Sequence, residues 1–381
     1  MKTNWQTKNR SAWLTVKLGE VIKLEYGKPL PKSARRADGK YPVYGANGIK
    51  SWSNSFYYDQ ATIIVGRKGS AGELNLTEEK FWPLDVSYYV TFDDKLYDLK
   101  FIFNLLTTLE LPKLAKGVKP GINRNEVYAF DVRIPPLPEQ KRIVAILSKV
   151  FTAITKAKEN AEKNLQNARE LFESYQQNIF ANPGDGWVDR TLDQVCIVER
   201  GSSPRPIKEF FTTAPDGVNW IKIGDTEEGG KYVYSTAQKI TSEGAKQSRF
   251  VKEGDFILTN SMSFGRPYIM KTKGYIHDGW FVLRLNISIN TDYFYYLLSS
   301  RVVQSQFVQL ASGSVVKNIS GDLVKKAVLP IPPLAHQQVI VDKLLEISAQ
   351  TKKLEVIYQQ KLADLEELKK SILQKAFNRE L

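Results

Sequence analysis

The feature that most limits what this chain can become is a stretch that occurs twice. Ile134-Pro135-Pro136-Leu137 is followed by Gln140, Ile143, Val144, Leu147, Glu170-Leu171 and Phe180. Adding 197 to each number gives Ile331-Pro332-Pro333-Leu334, Gln337, Ile340, Val341, Leu344, Glu367-Leu368 and Phe377, without a gap. A register held over so many residues marks a duplicated unit.

Each copy reads as one long helix. The paired prolines force extended backbone just ahead of it, and Pro138 suits a first helical turn, where its missing N–H would have no partner anyway. From Pro138 to Phe180 is roughly 43 residues, or about 64 Å of helix at 1.5 Å per residue. Apolar residues Ile143, Leu147, Val150, Ile154, Ala157, Ala161, Leu165, Ala168, Phe172, Tyr175 and Ile179 recur by threes and fours, with one stutter at 157, 161 and 165. The second copy keeps that frame at Ile340, Leu344, Ile347, Leu354, Tyr358, Leu362, Leu365, Ile372 and Ala376, and breaks it at Thr351 and Lys369, with Leu368 beside the latter. Two matched stripes in one chain are expected to zip together. Packing each stripe on its own globule is disfavoured, because so long a helix outruns a domain of this size.

The segments between the helices also repeat. Trp13, Leu18, Val21 and Gly27 return as Trp187, Leu192, Val195 and Gly201, an offset of 174. The expected order is a globule at 1–133, a central long helix at 134–181, a second globule at 182–330 and a C-terminal long helix at 331–381. Apolar runs at Ala61–Val65 and Val86–Val90, then at Asn219–Ile223, Phe256–Leu258, Tyr268–Met270 and Phe281–Leu285, read as short strands. Helices are expected at Leu99–Leu109 and Thr291–Gln309. The class is α+β, two mixed globules separated by two long helices pairing as an antiparallel coiled coil, with approximate twofold symmetry.

Composition narrows the function. The net charge is +13, and residues 1–133 carry +7 of it, with +2, +3 and +1 on the three later segments. The excess therefore sits mainly outside the helices, where it suits a polyanion. One cysteine, Cys196, excludes an internal disulfide framework, and with only His277 and His336 beside it no zinc site of Cys and His ligands is expected. No apolar run is long enough to span a membrane and MKTNWQTKNR lacks a signal peptide's apolar centre, so a cytoplasmic protein without membrane contact is expected.

Enzyme signatures fail one after another. Asn182-Pro183-Gly184 lacks the second proline and the aromatic of an amino-methylation motif, and no phosphate-binding GxxxxGK[ST] loop occurs. Gly66-x-x-Gly69-x-x-Gly72 has the wrong spacing for a dinucleotide, and with Arg67 and Lys68 inside it reads as a turn offering amides and cations to a phosphate. Glu78 and Lys80 read as a solvated turn, and His277-Asp278 as surface. No catalytic, cofactor or metal site is expected in this chain.

The loops instead carry groups suited to contacting nucleic acid. Candidate contacts are Lys28, Lys32, Arg35, Arg36, Tyr44, Asn47, Arg67, Lys68, Ser70, Lys119 and Arg124 in the first globule, and Arg200, Ser202, Arg205, Asn260, Ser261, Ser263, Arg266, Ser314 and Lys317 in the second. Arginine and lysine can hold guanine edges, asparagine reads adenine, and hydroxyls hold phosphates.

The duplicated Ile-Pro-Pro-Leu-x-x-Gln start and the repeated Trp/Leu/Val/Gly opening resemble the specificity subunit of a type I restriction-modification system, over essentially the whole chain. Ala335-His336 departs from Pro138-Glu139, but the two helix starts otherwise match. The resemblance implies two target recognition domains, each reading one half of a bipartite double-stranded DNA target, the second half from the opposite strand. It implies helices that set the spacer and dock two methyltransferase subunits, with restriction and translocase subunits joining. The subunit itself would be noncatalytic: S-adenosylmethionine would belong to the methyltransferase, ATP and Mg to the nuclease. The alternatives are a stand-alone DNA-modifying enzyme, which would methylate without a partner, and a coiled-coil scaffold, whose weak duplex binding would ignore salt.

Overall fold

A computed structural model describes residues 13–227, 229–260, 265–311 and 320–381. It divides into two units, Met1–Glu162 with Gln360–Leu381, and Lys163–Gln359. The two long helices, here the central helix (Leu137–Ala181) and the final helix (Leu334–Asn378), each run through 45 residues, of which the first 26 belong to one unit and the last 19 to the other.

In the first unit, strand Leu14–Lys17 pairs antiparallel with Asp131–Ile134, which leads straight into the central helix. A four-stranded antiparallel sheet has the order Lys23–Tyr26, Ser87–Thr91, Thr62–Gly66, Leu74–Thr77. Thr62–Gly66 is buried throughout, as its run of β-branched residues requires. The hairpin Tyr41–Gly45 and Gly48–Ser53, with Trp82–Pro83, forms a smaller sheet. Helix Leu99–Thr108, capped by the Asp98 carboxylate accepting from Phe101 N–H at 3.0 Å, packs Phe101 and Leu105 into a core with Leu18, Ile63 and Val90.

The second unit repeats the frame. Val188–Thr191 pairs antiparallel with Val328–Ile331, which leads into the final helix. Two five-stranded sheets follow: Cys196–Arg200, Trp280–Leu285, Phe256–Thr259, Pro267–Met270 and Tyr232–Val233; and Phe211–Thr212, Gln238–Ile240, Val218–Ile221, Gly274–Ile276 and Arg249–Val251. The single helix expected over 291–309 is two, Thr291–Ser299 and Arg301–Ala311. Buried Ser300 is extended between them (φ −70°, ψ 150°), and its hydroxyl donates to Leu297 O at 2.6 Å, giving the backbone a local alternative to helix.

Two sequence marks explain why the frame recurs. A Cβ on Gly27 would lie 2.0 Å from Leu84 O, and one on Gly201 would lie 2.1 Å from His277 O, so both strands approach their neighbours as only glycine can. Gln140 and Gln337 are buried polar side chains. Each donates to the first proline's carbonyl, Pro135 O or Pro332 O, at 2.9 Å. Each accepts the backbone N–H of a helix-capping residue, Asp98 or Asn290, at 2.8 Å. The glutamine of the repeated motif therefore fastens each long helix to its globule.

The helices pair antiparallel within each unit. In the first, Ile143 and Leu147 share a core with Leu373 and Ala376, Arg142 donates to Leu381 O at 3.0 Å, and Lys158 pairs with Glu366. In the second, Phe180 shares a core with Val341 and Leu344, and Arg169 meets Glu355 at 3.4 Å. Leu147, Ile154, Ala161 and Ala168, one heptad apart, are buried. Val150, Leu165, Phe172, Ile340, Ile347, Leu362, Leu365 and Ile372 flank the seam half-buried, whereas Leu354 is exposed.

Both expected breaks in the second stripe are accommodated. Thr351 is buried, its hydroxyl donating back to Ser348 O at 3.1 Å, and Lys369 lays its ammonium 5.4 Å from the Phe151 ring centroid. Leu368 is exposed and takes no part.

Candidate nucleic-acid interface

In the first unit the backbone gathers residues that lie far apart in sequence. Gly69 N–H donates to Pro120 O at 2.8 Å and Ile122 N–H to Arg67 O at 3.1 Å, stapling loop 66–72 to loop 116–124. This brings Arg67, Lys68, Ser70, Lys119 and Arg124 together. A Cβ on Gly66 would lie 2.5 Å from Ala46 O, which places the hairpin turn carrying exposed Asn47 alongside. The guanidinium carbons of Arg67 and Arg124 each lie 4.9 Å from the ring centroid of exposed Tyr26. Stacking of this kind holds both planar forks in place at low entropic cost. Lys28, two residues on and exposed, is fixed by its N–H on Pro83 O at 2.8 Å.

Lys32, Arg35 and Arg36 lie exposed on the approach to the hairpin; Arg35 Nε donates to Leu30 O at 3.1 Å, and Arg36 exchanges backbone bonds with Trp52. Tyr44 does not belong on this surface. The residue is 8% exposed and its ring packs edge-on against Phe81 at 5.7 Å, because its strand is buried on both faces from Pro42 to Gly45.

In the second unit Arg200, Ser203 and Arg205 converge on one residue, Asp278. Ser203 Oγ donates to Asp278 Oδ1 at 2.7 Å, Arg205 lies 3.7 Å from Oδ2, and Arg200 Nε donates to Asp278 O at 3.2 Å. The Ser203 hydroxyl holds the Asp278 carboxyl below the usual range, outweighing partial burial, with Arg205 assisting. Ser202 Oγ donates to Gln247 O at 2.8 Å. Exposed Arg266 is anchored by its N–H on Thr259 Oγ1 at 2.9 Å. Asn260 is buried, its N–H on Gly279 O and its side-chain amide on Asp278 O, so it ties the end of its strand to residues 278 and 279. Ser261, Ser263, Ser314 and Lys317 lie outside the described residues.

His277 is not the surface histidine expected. It is partly buried between Trp220 and Trp280, each ring 6.3 Å away, and its Nδ1 accepts Gly279 N–H at 2.8 Å. Burial pushes its pKa below the ordinary 6.5, against the pull of Asp278. Cys196 is buried with its thiol pushed up to about 12, again by burial, which makes it an inert core residue.

The family model described as "Type I restriction modification DNA specificity domain" matches residues 10–163 and 184–366. The chain belongs to this family. Among the relatives of this specificity chain, the type I restriction enzyme EcoBI specificity subunit of Escherichia coli is 28% identical, over 97% of this chain and 86% of its own length. The EcoDI specificity subunit of the same organism is 22% identical over 97% and 88%. A crystallised HsdS subunit from Thermoanaerobacter tengcongensis shares the fold at TM-score 0.62 and 20% identity, covering all of both chains. A chain from a study titled as the structural basis of complex assembly and conformational transition of the type I R-M system does so at TM-score 0.76 and 19% identity, over 97% and 98%. The fold class is thus that of the specificity family, and no described helix is long and apolar enough to cross a membrane.

Sequence reasoning missed two residues of the specificity chain's candidate surface. Tyr26 stands immediately before Gly27, the position Arg200 holds before Gly201, so the 174-residue offset already paired it with a chosen candidate. Asp278 is acidic, and a search for cations and hydroxyls passes over the carboxylate that arranges them.

Proposed function

We propose that this chain reads DNA for a type I restriction-modification complex without catalysing a reaction itself. Each globule contacts one half of a bipartite double-stranded target, and the paired helices set the spacer and dock two methyltransferase subunits. S-adenosylmethionine is bound by those partners, and ATP and Mg by the nuclease and translocase subunits that join them.

The observation that carries this reading is one frame bearing two different surfaces. Around Gly27 stand exposed Tyr26 and Lys28 with half-buried Arg67 and Arg124; around Gly201 stand exposed Arg200 and Arg205 with half-buried Ser203, arranged on Asp278. Like scaffolds with unlike side chains suit unlike half-sites. Family membership supports the DNA role.

The test is to map methylated bases in cells that express this chain with its methyltransferase partner. A gapped, two-part motif is expected. Arg67→Lys with Arg124→Lys, which keeps charge but removes the planar forks, should alter one half of the motif and leave the other intact. A contiguous motif, or changes in both halves, would reject the reading.

A further inference from the structure

The seam between the long helices carries two cross-helix ion pairs, Lys158 with Glu366 and Arg169 with Glu355. The 197-residue offset carries Lys158 onto Glu355 and Arg169 onto Glu366. The same two seam positions therefore face each other in both units, but the central helix supplies the cation each time and the final helix the anion. A central helix laid in this register on a second central helix would set Lys158 against Arg169 twice. Two final helices would set Glu355 against Glu366 twice.

Side-chain size follows the same division. The central helix buries Ala161 and Ala168, whereas the final helix has half-buried Tyr358 and Leu365 at the matching positions. Two central helices would meet small against small and leave the seam thin; two final helices would crowd it.

We propose that these charges and sizes choose the partner: they select pairing of the two helices of one chain over pairing of either helix with its own copy in a second chain. Duplication creates this hazard, because two near-identical stripes are each self-complementary until something distinguishes them. Opposite charge at facing seam positions is the cheapest distinction, since it favours the wanted pair and penalises both unwanted ones at once.

Two double variants of the full chain, both unchanged in net charge, separate the possibilities. Arg169→Glu with Glu366→Lys makes both intramolecular contacts like-charged and both homotypic contacts opposite-charged. Lys158→Glu with Glu366→Lys makes the homotypic contacts opposite-charged as well but keeps both intramolecular contacts opposite-charged, so the two variants differ only in the intramolecular pairing. Sedimentation at low salt across a hundredfold range of concentration should find wild type and the second variant at single-chain mass. The first variant should dimerise at least tenfold more tightly than the second. Equal association of all three would overturn the proposal. Where circular dichroism finds the first variant unfolded, melting of Lys158→Glu, Glu366→Lys and their combination decides: the combination should regain the melting point that each single change loses, and losses that simply add would overturn it.

Discussion

Gln140 accepts the backbone N–H of Asp98 at 2.8 Å while its own amide donates to Leu96 O at 3.0 Å and Pro135 O at 2.9 Å. One fully buried side chain thus joins the start of a long helix to the cap of another helix 42 residues earlier. Gln140→Leu leaves these groups without a partner of comparable volume. It should destabilise the chain by about 3 kcal/mol or more, at ~1–3 kcal/mol for each of the groups left unsatisfied. Gln337→Leu should act in the same direction through Asn290 and Pro332. Urea unfolding of both variants checks this, and a loss confined to one of them would mean that the two helix starts are not equivalent.

Gly27→Ala and Gly201→Ala each drive a methyl group into a carbonyl oxygen that belongs to backbone and cannot turn away. A cost of about 3 kcal/mol or more is expected for such overpacking. Gly224, with no atom within 4 Å of its built Cβ, is the control and should tolerate alanine. Soluble yield and melting temperature of the three variants separate a steric requirement from a general intolerance of alanine.

His277 gives the second unit a defined acid sensitivity. Its folded pKa is depressed, so above pH 6.5 neither folded nor unfolded state binds the proton and stability is unaffected. As pH falls below 6.5 the unfolded chain takes up a proton that the buried ring refuses, and stability declines until the folded pKa is reached. Asp278, whose carboxyl is held below its ordinary 3.8, contributes a loss only at lower pH. Unfolding of wild type and His277→Gln at pH 7.5 and pH 5 should give a smaller drop for the variant; equal drops would assign the sensitivity elsewhere.

How much of this was legible in the sequence follows from which signals are periodic. The long helices were, because the 197-residue register and a stripe of threes and fours fix both their extent and their mutual pairing. By residue type Thr351 and Lys369 read as faults in that stripe; Thr351 is buried with its hydroxyl bonded back to its own helix, and Lys369 stays exposed with its ammonium 5.4 Å from the Phe151 ring centroid. The break at Ser300 was invisible, since the apolar period continues across it. The fates of Tyr44 and Asn260 depend on which way a short strand or loop turns its alternate residues, and a strand of five residues gives little to decide that. Asp278 becomes evident only once loops distant in sequence are brought side by side, whereas the 174-residue offset already pairs Tyr26 with Arg200.

The central claim is that the paired helices measure DNA. In the register observed, the seam partner of residue 162 lies near residue 362, as Lys158 facing Glu366 requires. One heptad inserted after Glu162 and another after Lys361 should keep the seam in phase and lengthen the pair by roughly 10 Å, or about three base pairs. Methylation mapping with the partner subunits should then find both half-sites unchanged and the unread spacer longer by about three base pairs. A spacer of the original length, with both half-sites still recognised, would contradict the account.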